Sequence, residues 1–494
     1  MEQTTITLHS RFQIGPVDPR IFGGFLEHMG RAVYEGVYNP ESQYADGDGY
    51  RRDVMTALRR LRMTAMRYPG GNFASGYHWQ DGIGMRDKRP TVHELAWKSI
   101  EPNRFGTDEY IRLCRKMEWT PMLTVNLGSG TPEEARNWVK YCNCPPGTRY
   151  ADMRVGNGSR EPHGVKLWCL GNEMDGPWQL GHVPADQYAI RAQQAGKMMK
   201  DTDKSIELVA CGSCAPGMPT YMDWDRRVLE YLGDLTDHIS LHRYVGNRHA
   251  DTPDYLAVTN SIDHQIEDMD AVCRFVQAKN RSKKRAYLCF DEWNVWYKNM
   301  QMNGEGKFAP HLIEEEYNLE DALVVAGFLQ SFIRHADVVK IANIAQIVNV
   351  IAPVLTCGDK MLIQSIFYPF EMVSRRRDGV ALRVIVDGPT YESTRYGSVG
   401  YVDATAIMDG HKLKVFLTNR SVNESGTVAI RMADGAILSA ECVDILTGPD
   451  PKAANSFENP NIVTVRPLET LQIKKGSSQH SITALIVHGN DPQH

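Results

Sequence analysis

The 494-residue sequence predicts an α/β fold, a (β/α)8 TIM barrel followed by a C-terminal antiparallel β-sandwich of jelly-roll type. Three observations predict it. Eight short apolar runs recur, each ending in a polar or glycine-rich cluster, with segments of helical periodicity between them. Runs such as Val165-Lys166-Leu167-Trp168-Cys169-Leu170 are nearly continuous in hydrophobicity, which suits parallel strands buried on both faces. After about Arg377 the texture changes to strict alternation with Asn-, Gly- and Pro-containing turns.

In chain order the predicted barrel strands are Ile21–Glu27, Thr64–Pro69, Pro121–Leu127, Val165–Glu173, Ile206–Gly212, His238–Tyr244, Ala286–Glu292 and Val338–Gln346. Helical segments fill the gaps at Tyr50–Met63, Thr107–Glu118, Pro184–Lys200 and Ile262–Lys279. Thr131-Pro132-Glu133-Glu134 places a hydroxyl at the N-cap, proline at N1 and a carboxylate at N3, a capping-box arrangement. Asn318 starts a further helix whose apolar side is Leu323, Val324, Phe328 and Phe332. A doubly wound open sheet is the alternative, but it advertises a glycine-rich turn after its first strand. Here that strand ends in Phe25-Leu26-Glu27-His28. The barrel is placed at residues 19–377. The sandwich takes 378–494, with runs such as Leu413–Thr418, Thr427–Arg431, Ile462–Arg466 and Ile482–Val487. Thr4–Leu8 alternates in the same way, so residues 1–18 are assigned to the sandwich too.

Composition narrows the function. Apolar content of 42% and charged content of 23% are those of a globular chain with a large core. The net charge is −5 with no long Lys/Arg run, which argues against nucleic acid and anionic membrane surfaces as partners. The longest apolar stretch, Val338–Leu355, is interrupted by Lys340, Asn343, Gln346 and Asn349 and is too polar to span a membrane. Met1–Ser10 has no basic-then-apolar layout, so a cytoplasmic location is expected. The close pairs Cys142/Cys144 and Cys211/Cys214 lack the matched second pair of a zinc site. Reduced thiols, no metal and no cofactor are expected.

Barrel enzymes present reactive groups at the C-terminal ends of their strands. Those ends carry Glu27 and His28, Arg67, Asn126, Asn172 and Glu173, His242 and Tyr244, Asp291 and Glu292, and Gln346. Strands four and seven face each other across part of the mouth, so Glu173 and Glu292 can flank a sugar. Hydrolysing an acetal needs such a pair: a proton donor and an anion facing the anomeric carbon. Sequence spacing leaves open whether the carboxyls stand about 5–5.5 Å apart, for retention, or about 6.5–9.5 Å, for inversion.

Six segments resemble those of family 51 α-L-arabinofuranosidases. They are Phe22–His28, Met66–Phe73, Gly171–Gln179, Ser240–Tyr244, Phe290–Trp296 and Ala345–Ile351, and the likeness runs over essentially the whole chain. The resemblance implies a retaining, exo-acting enzyme with Glu173 as acid/base and Glu292 as nucleophile. It further implies Asn172 at the sugar 2-OH, Glu27, Asn72 and Gln346 at other hydroxyls, and His242 between sugar and carboxylates. Arg67 and Tyr244 are implied to hold Glu292 ionised, and Trp97 and Trp296 to shape the pocket; Trp178, by its position just past Glu173, is expected on the leaving-group side. Arabinan and arabinoxylan oligosaccharides are the implied substrates, and a homo-oligomer, a hexamer, the implied assembly. The chain departs from the family pattern at Ser129-Gly130-Thr131, at His78 and at Cys211-Gly212-Ser213-Cys214. A change of sugar (β-xylosidase, galactofuranosidase or endo-β-glucanase) and a non-catalytic sugar-binding protein are the alternative readings.

Overall fold

Barrel closure begins with a strand of only three residues, β1 at Gly23–Phe25. A Cβ on Gly23 would lie 2.4 Å from Asn343 Nδ2 and one on Gly24 2.7 Å from Ile347 Cγ2, so glycine is required for the approach of this strand to its neighbour. The computed structural model describes residues 3–423, 426–435, 437–467 and 480–487. The remaining strands are β2 (Ala65–Tyr68), β3 (Thr120–Val125), β4 (Leu167–Leu170), β5 (Glu207–Ala210), β6 (His238–Val245), β7 (Tyr287–Val295) and β8 (Val339–Ala345). They pair in parallel in sequence order, and β8 closes onto β1. All eight predicted runs coincide with these strands, although several runs extend past their strand into the rim loop.

Met122, Leu167, Cys169, Val209, Cys289 and Ile341 form an apolar cluster contributed by the barrel strands alone. It is a packed core, not a channel, and each fully buried aliphatic side chain contributes roughly 1.5–3 kcal/mol. Polar groups buried on the barrel strands, such as Arg67 and Asn343, therefore sit against a dry interior.

The predicted helices form at Arg52–Arg60, Thr107–Met117, Pro132–Asn143, Ala185–Thr202, Thr259–Lys279 and Leu319–Arg334. Thr131 caps its helix by accepting from Glu134 N at 3.1 Å, but the box is not reciprocal. The Glu134 carboxylate turns instead to His78 Nδ1 at 3.0 Å. Asn318 and Asp321 do form a reciprocal box. The helix they open, Leu319–Arg334, is buried on nearly every side, as expected where a helix lies between two layers. One side meets β7, with Phe328 and Phe332 rings 5.0 and 5.3 Å from Trp293. The other meets the second sheet, where Thr418 Oγ1 bonds Gln330 at 3.0 Å.

That second sheet has eight strands in the order Val428–Met432, Thr4–Pro16, Val380–Asp387, Val402–Asp409, Lys412–Asn419, His480–Val487, Ile437–Thr447 and Thr464–Pro467. The N-terminal strand joins it as the alternation predicts, pairing antiparallel with Val380–Asp387. The sheet is mixed, not purely antiparallel. Thr4–Pro16 runs parallel to Val428–Met432, and His480–Val487 runs parallel to both its neighbours. Alternation reports which face is buried and carries no information on strand direction. Ile6, Leu8, Leu382, Val415 and Leu417 form this sheet's own core. Segments of the predicted second domain at 424–425, 436, 468–479 and 488–494 lie outside the described residues. Among the described residues no helix is long and apolar enough to cross a membrane.

Candidate active site

Consecutive residues of a strand normally point to opposite faces, yet Asp291 and Glu292 both reach the barrel mouth. The cause is a β-bulge in β7. From Cys289 to Glu292 the strand advances three positions where β6 advances two, from Ser240 to His242, and β8 shows the same offset. The extra residue re-aims the strand end and delivers two carboxylates to one cluster.

Arg67, fully buried at the end of β2, ties that cluster together. Its guanidinium reaches Glu292 Oε1 at 2.7 Å, Asn172 Oδ1 at 2.7 Å and Asp291 Oδ2 at 3.2 Å. The Tyr244 hydroxyl donates to Glu292 Oε2 at 2.9 Å. His242 lies between the acids: Nδ1 is 2.8 Å from Glu173 Oε1 and 3.6 Å from Glu292 Oε2, while Nε2 is 3.2 Å from Asp291 Oδ1. Burial disfavours charge on the imidazole, but the carboxylates of Glu292 and Asp291 outweigh it and lift His242 well above the usual histidine range. Burial also pushes the Glu292 carboxyl up; His242 and Arg67 pull it down, while Glu173 and Asp291 repel it further. Asp291, although buried, is held below its ordinary range by Arg67 and His242.

One oxygen of Glu173, one oxygen of Glu292 and a ring nitrogen of His242 lie within 4.8 Å of one another. Three such atoms resemble a partial metal site, but Glu292 is already paired with Arg67 at 2.7 Å and His242 Nδ1 with Glu173 at 2.8 Å. Carboxylates whose nearest oxygens are this close suit a retaining hydrolase, about 5–5.5 Å between carboxyls, better than an inverting one at about 6.5–9.5 Å.

Glu173 stands in a left-handed backbone conformation, φ +44°, which costs a non-glycine residue roughly 1–3 kcal/mol. The conformation turns the chain immediately after β4, and a bond from Gly176 N to Glu173 O at 2.8 Å closes the turn. With Oε1 on His242, the other oxygen accepts from Trp178 Nε1 at 2.7 Å. Trp178 is 55% exposed, so this oxygen faces the open side of the mouth.

A third carboxylate, Glu27, lies deeper. Its Oε1 accepts from Phe73 N at 2.9 Å and Trp97 Nε1 at 3.1 Å, and Gln346 Oε1 accepts from its backbone N–H at 3.0 Å. Burial, with the charge of Glu292 added, pushes the Glu27 carboxyl up to about 8, so it is protonated at neutral pH. Gly71 separates the two acids. A Cβ there would stand 3.0 Å from Glu292 Oε1 and 3.1 Å from Glu27 Oε2, which accounts for the glycine in Pro69-Gly70-Gly71-Asn72.

The family model of the α-L-arabinofuranosidase 1 domain matches residues 57–261, and that of the α-L-arabinofuranosidase C-terminal domain matches residues 291–485. An intracellular exo-α-(1→5)-L-arabinofuranosidase 1 of Bacillus subtilis is 43% identical over 470 residues, 94% of each chain. The chain belongs to the family 51 α-L-arabinofuranosidases. An exo-α-(1→6)-L-arabinofuranosidase of Bifidobacterium longum is 38% identical, covering 95% of this chain and 93% of its own length. The structure of AbfB, a family 51 α-L-arabinofuranosidase from Bifidobacterium longum, superposes with a TM-score of 0.89 at 35% identity, covering 94% of this chain and 95% of its own.

In this arabinofuranosidase the contacts above join Glu27, Arg67, Trp97, Asn172, Glu173, His242, Tyr244, Glu292 and Gln346 at one mouth, whereas His28 bonds Tyr68 and Glu101. Asn72 joins through Asn172 Nδ2 at 3.2 Å. Trp296 packs edge-on against Tyr244, ring centres 5.8 Å apart, and anchors its Nε1 on Asn299 O, so it supports the side chain that bonds Glu292. Asn126, at the end of β3, turns away: its Oδ1 accepts from the N–H groups of Gly128, Ser129 and Gly130, each at 3.0 Å. Sequence reasoning passed over two features. Asp291 is a partner of both Arg67 and His242, which the doubled Asp-Glu at a strand end signalled. Asp175, Ser213 and Cys214 form a buried group beneath Glu173, which only the structure brings together.

Proposed function

We propose that the protein removes terminal non-reducing α-L-arabinofuranosyl groups from arabinan and arabinoxylan oligosaccharides with retention, using Glu292 as nucleophile and Glu173 as acid/base. The observation that carries this reading is the Glu173–His242–Glu292 cluster, with one oxygen of each carboxylate within 4.8 Å of the other, inside the fold of the family. Catalysis is assigned to the barrel at 19–377, and the sheet built from 1–18 and 378–494 is its support.

Charge counting favours the division of labour. Arg67 and His242 supply two positive charges, which match Asp291 and Glu292 as anions. A buried cluster close to neutrality disfavours a further anion, and Glu27, pushed up to about 8, keeps its proton. In the first step Glu292 attacks the anomeric carbon and the bond to the leaving oxygen breaks. That oxygen takes the proton from Glu173, on the oxygen now facing Trp178. In the second step Glu173 takes a proton from water, the water oxygen attacks the anomeric carbon, and Glu292 departs as carboxylate. Asn172 gives its Oδ1 to Arg67 and one amide N–H to Asn72 Oδ1, which leaves the second N–H for the sugar 2-OH. Protonated Glu27, Asn72 and Gln346 meet the other hydroxyls, and the Trp97 ring covers the apolar face of the pentose.

Two relatives of similar overlap are named for (1→5) and (1→6) linkages, so the proposal is framed by the sugar removed, not the bond position. A cytoplasmic site of action follows the intracellular naming of the Bacillus subtilis relative. Assembly as a homo-oligomer, a hexamer, is inferred with it, and a light-scattering mass equal to one chain would contradict that. The functional test is turnover on a panel of aryl glycosides. Cleavage of the α-L-arabinofuranoside, with the α-anomer formed first by proton NMR, is expected. No turnover at any pH, or clear preference for a β-xyloside or galactofuranoside, would overturn the reading.

A further inference from the structure

The turn that carries Glu173 is stitched to the loop after β5. The Cys211 N–H donates to the Tyr188 hydroxyl at 2.8 Å, and that hydroxyl donates to Leu170 O, the last carbonyl of β4, at 2.7 Å. The Met174 N–H, the next along the chain from Glu173, donates to Cys211 Sγ at 3.3 Å. Asp175 then accepts on Oδ2 from the Ser213 hydroxyl at 2.7 Å, and from Cys214 N at 3.1 and 3.2 Å on its two oxygens. On the far side Ser213 N donates to Asp225 Oδ1 at 2.9 Å. Asp175 and Asp225 are both buried, and among the described residues neither has a basic partner. Burial raises both, Asp225 to about 7.

We propose that Asp175, gripped by Ser213 and Cys214, is a positioning residue that holds the left-handed turn of Glu173 and so aims its proton-bearing oxygen at the leaving group. The local chain ties Glu173 at φ +44° by one bond, from Gly176 N to its carbonyl at 2.8 Å; a non-glycine residue relaxes from this region unless its neighbours over-determine it. The residues immediately after it make fixed bonds to a second loop, and every donor to Asp175 is neutral. An asparagine at 175 keeps an acceptor for Ser213 and Cys214, whereas alanine removes the grip. The stretch Cys211-Gly212-Ser213-Cys214, which departs from the family pattern, is the other half of this clamp.

The inference rests on Glu173 as acid/base, and the experiment separates the two. Leaving groups that depart unaided need no proton, whereas sugar leaving groups do. The readout is the ratio of kcat/KM for 2,4-dinitrophenyl α-L-arabinofuranoside to that for an arabino-oligosaccharide, measured for wild type, Glu173→Ala, Asp175→Ala and Asp175→Asn. General acid assistance is worth about 10²- to 10⁴-fold. The ratio should therefore rise by at least about 30-fold in Asp175→Ala and by more in Glu173→Ala, and Asp175→Asn should restore most of it. A merely structural role would lower both substrates together. If Glu173→Ala shows the rise and Asp175→Ala does not, the clamp is refuted alone. If Glu173→Ala shows no rise, the acid/base assignment falls first. Should Asp175→Ala fail to fold, Ser213→Ala removes one donor to Asp175, and an unchanged ratio there refutes the clamp equally.

Discussion

Replacing Tyr244 by Phe removes one hydroxyl from the site and leaves the ring edge-on to Trp296. That hydroxyl donates to Glu292 Oε2 at 2.9 Å. Burial and the charge of Glu292 hold Tyr244 well above the usual tyrosine range, so it remains a donor throughout the working pH range. A hydrogen bond to a charged acceptor is worth about 1.5–3 kcal/mol, and it favours the ionised nucleophile over the protonated one. At about 1.36 kcal/mol per pH unit, its loss raises the Glu292 carboxyl by roughly 1–2 units. Glu292 already sits above the ordinary carboxyl range. The acid limb of kcat/KM in the wild type therefore lies above the free-glutamate value, and in Tyr244→Phe it moves to still higher pH. The assay is kcat/KM against pH on an aryl α-L-arabinofuranoside, with thermal unfolding as the control for the fold. An acid limb that stays put, or moves to lower pH, would refute the reasoning.

Three further outcomes are expected. Glu173→Ala should lose about 10²- to 10⁴-fold in kcat on arabino-oligosaccharides, and added azide should restore turnover of an activated aryl substrate; no rescue would count against the acid/base role. The single hydrogen bond that protonated Glu27 can donate to a sugar hydroxyl is present below about 8 and is lost as pH rises through that value, so Glu27→Gln should flatten the decline of kcat/KM near pH 8. A decline identical to wild type would show that another group causes it. Arg67→Lys replaces a three-armed guanidinium with one ammonium and leaves buried carboxylates short of partners, costing about 3–5 kcal/mol. Chemical denaturation measures it, and a loss below about 1 kcal/mol would contradict the central place given to Arg67.

The barrel was legible because burial on both faces writes itself into unbroken apolar runs, and because the polar residues ending those runs stand out against them. Glu173 and Glu292 were visible for that reason alone. Other features depend on contacts between residues distant in the chain. The bulge that turns Asp291 toward Arg67 leaves no compositional mark beyond two adjacent acids. Glu134 sits at the right position for a reciprocal cap, but the tertiary neighbour His78 claims its carboxylate at 3.0 Å. Asn126 reads as a rim ligand by position and instead folds over its own loop, because a short amide side chain at a strand end satisfies the nearest free N–H groups. Strand direction in the second sheet follows from its connections, which alternation does not encode. The Asp175 clamp joins two segments nearly forty residues apart, with Cys214 N bonding Asp175 across a sequence separation of 39.

The central claim is that Glu292 forms a covalent bond to the sugar while Glu173 manages the proton. Its most direct test is a mechanism-based arabinofuranosyl inhibitor that accumulates the glycosyl-enzyme, followed by peptide mapping by mass spectrometry. The account predicts one sugar per chain, on the peptide carrying Glu292, and no label in Glu292→Ala. A label on Glu173, Glu27 or Asp291, or efficient turnover with inversion and no trapped intermediate, would contradict it.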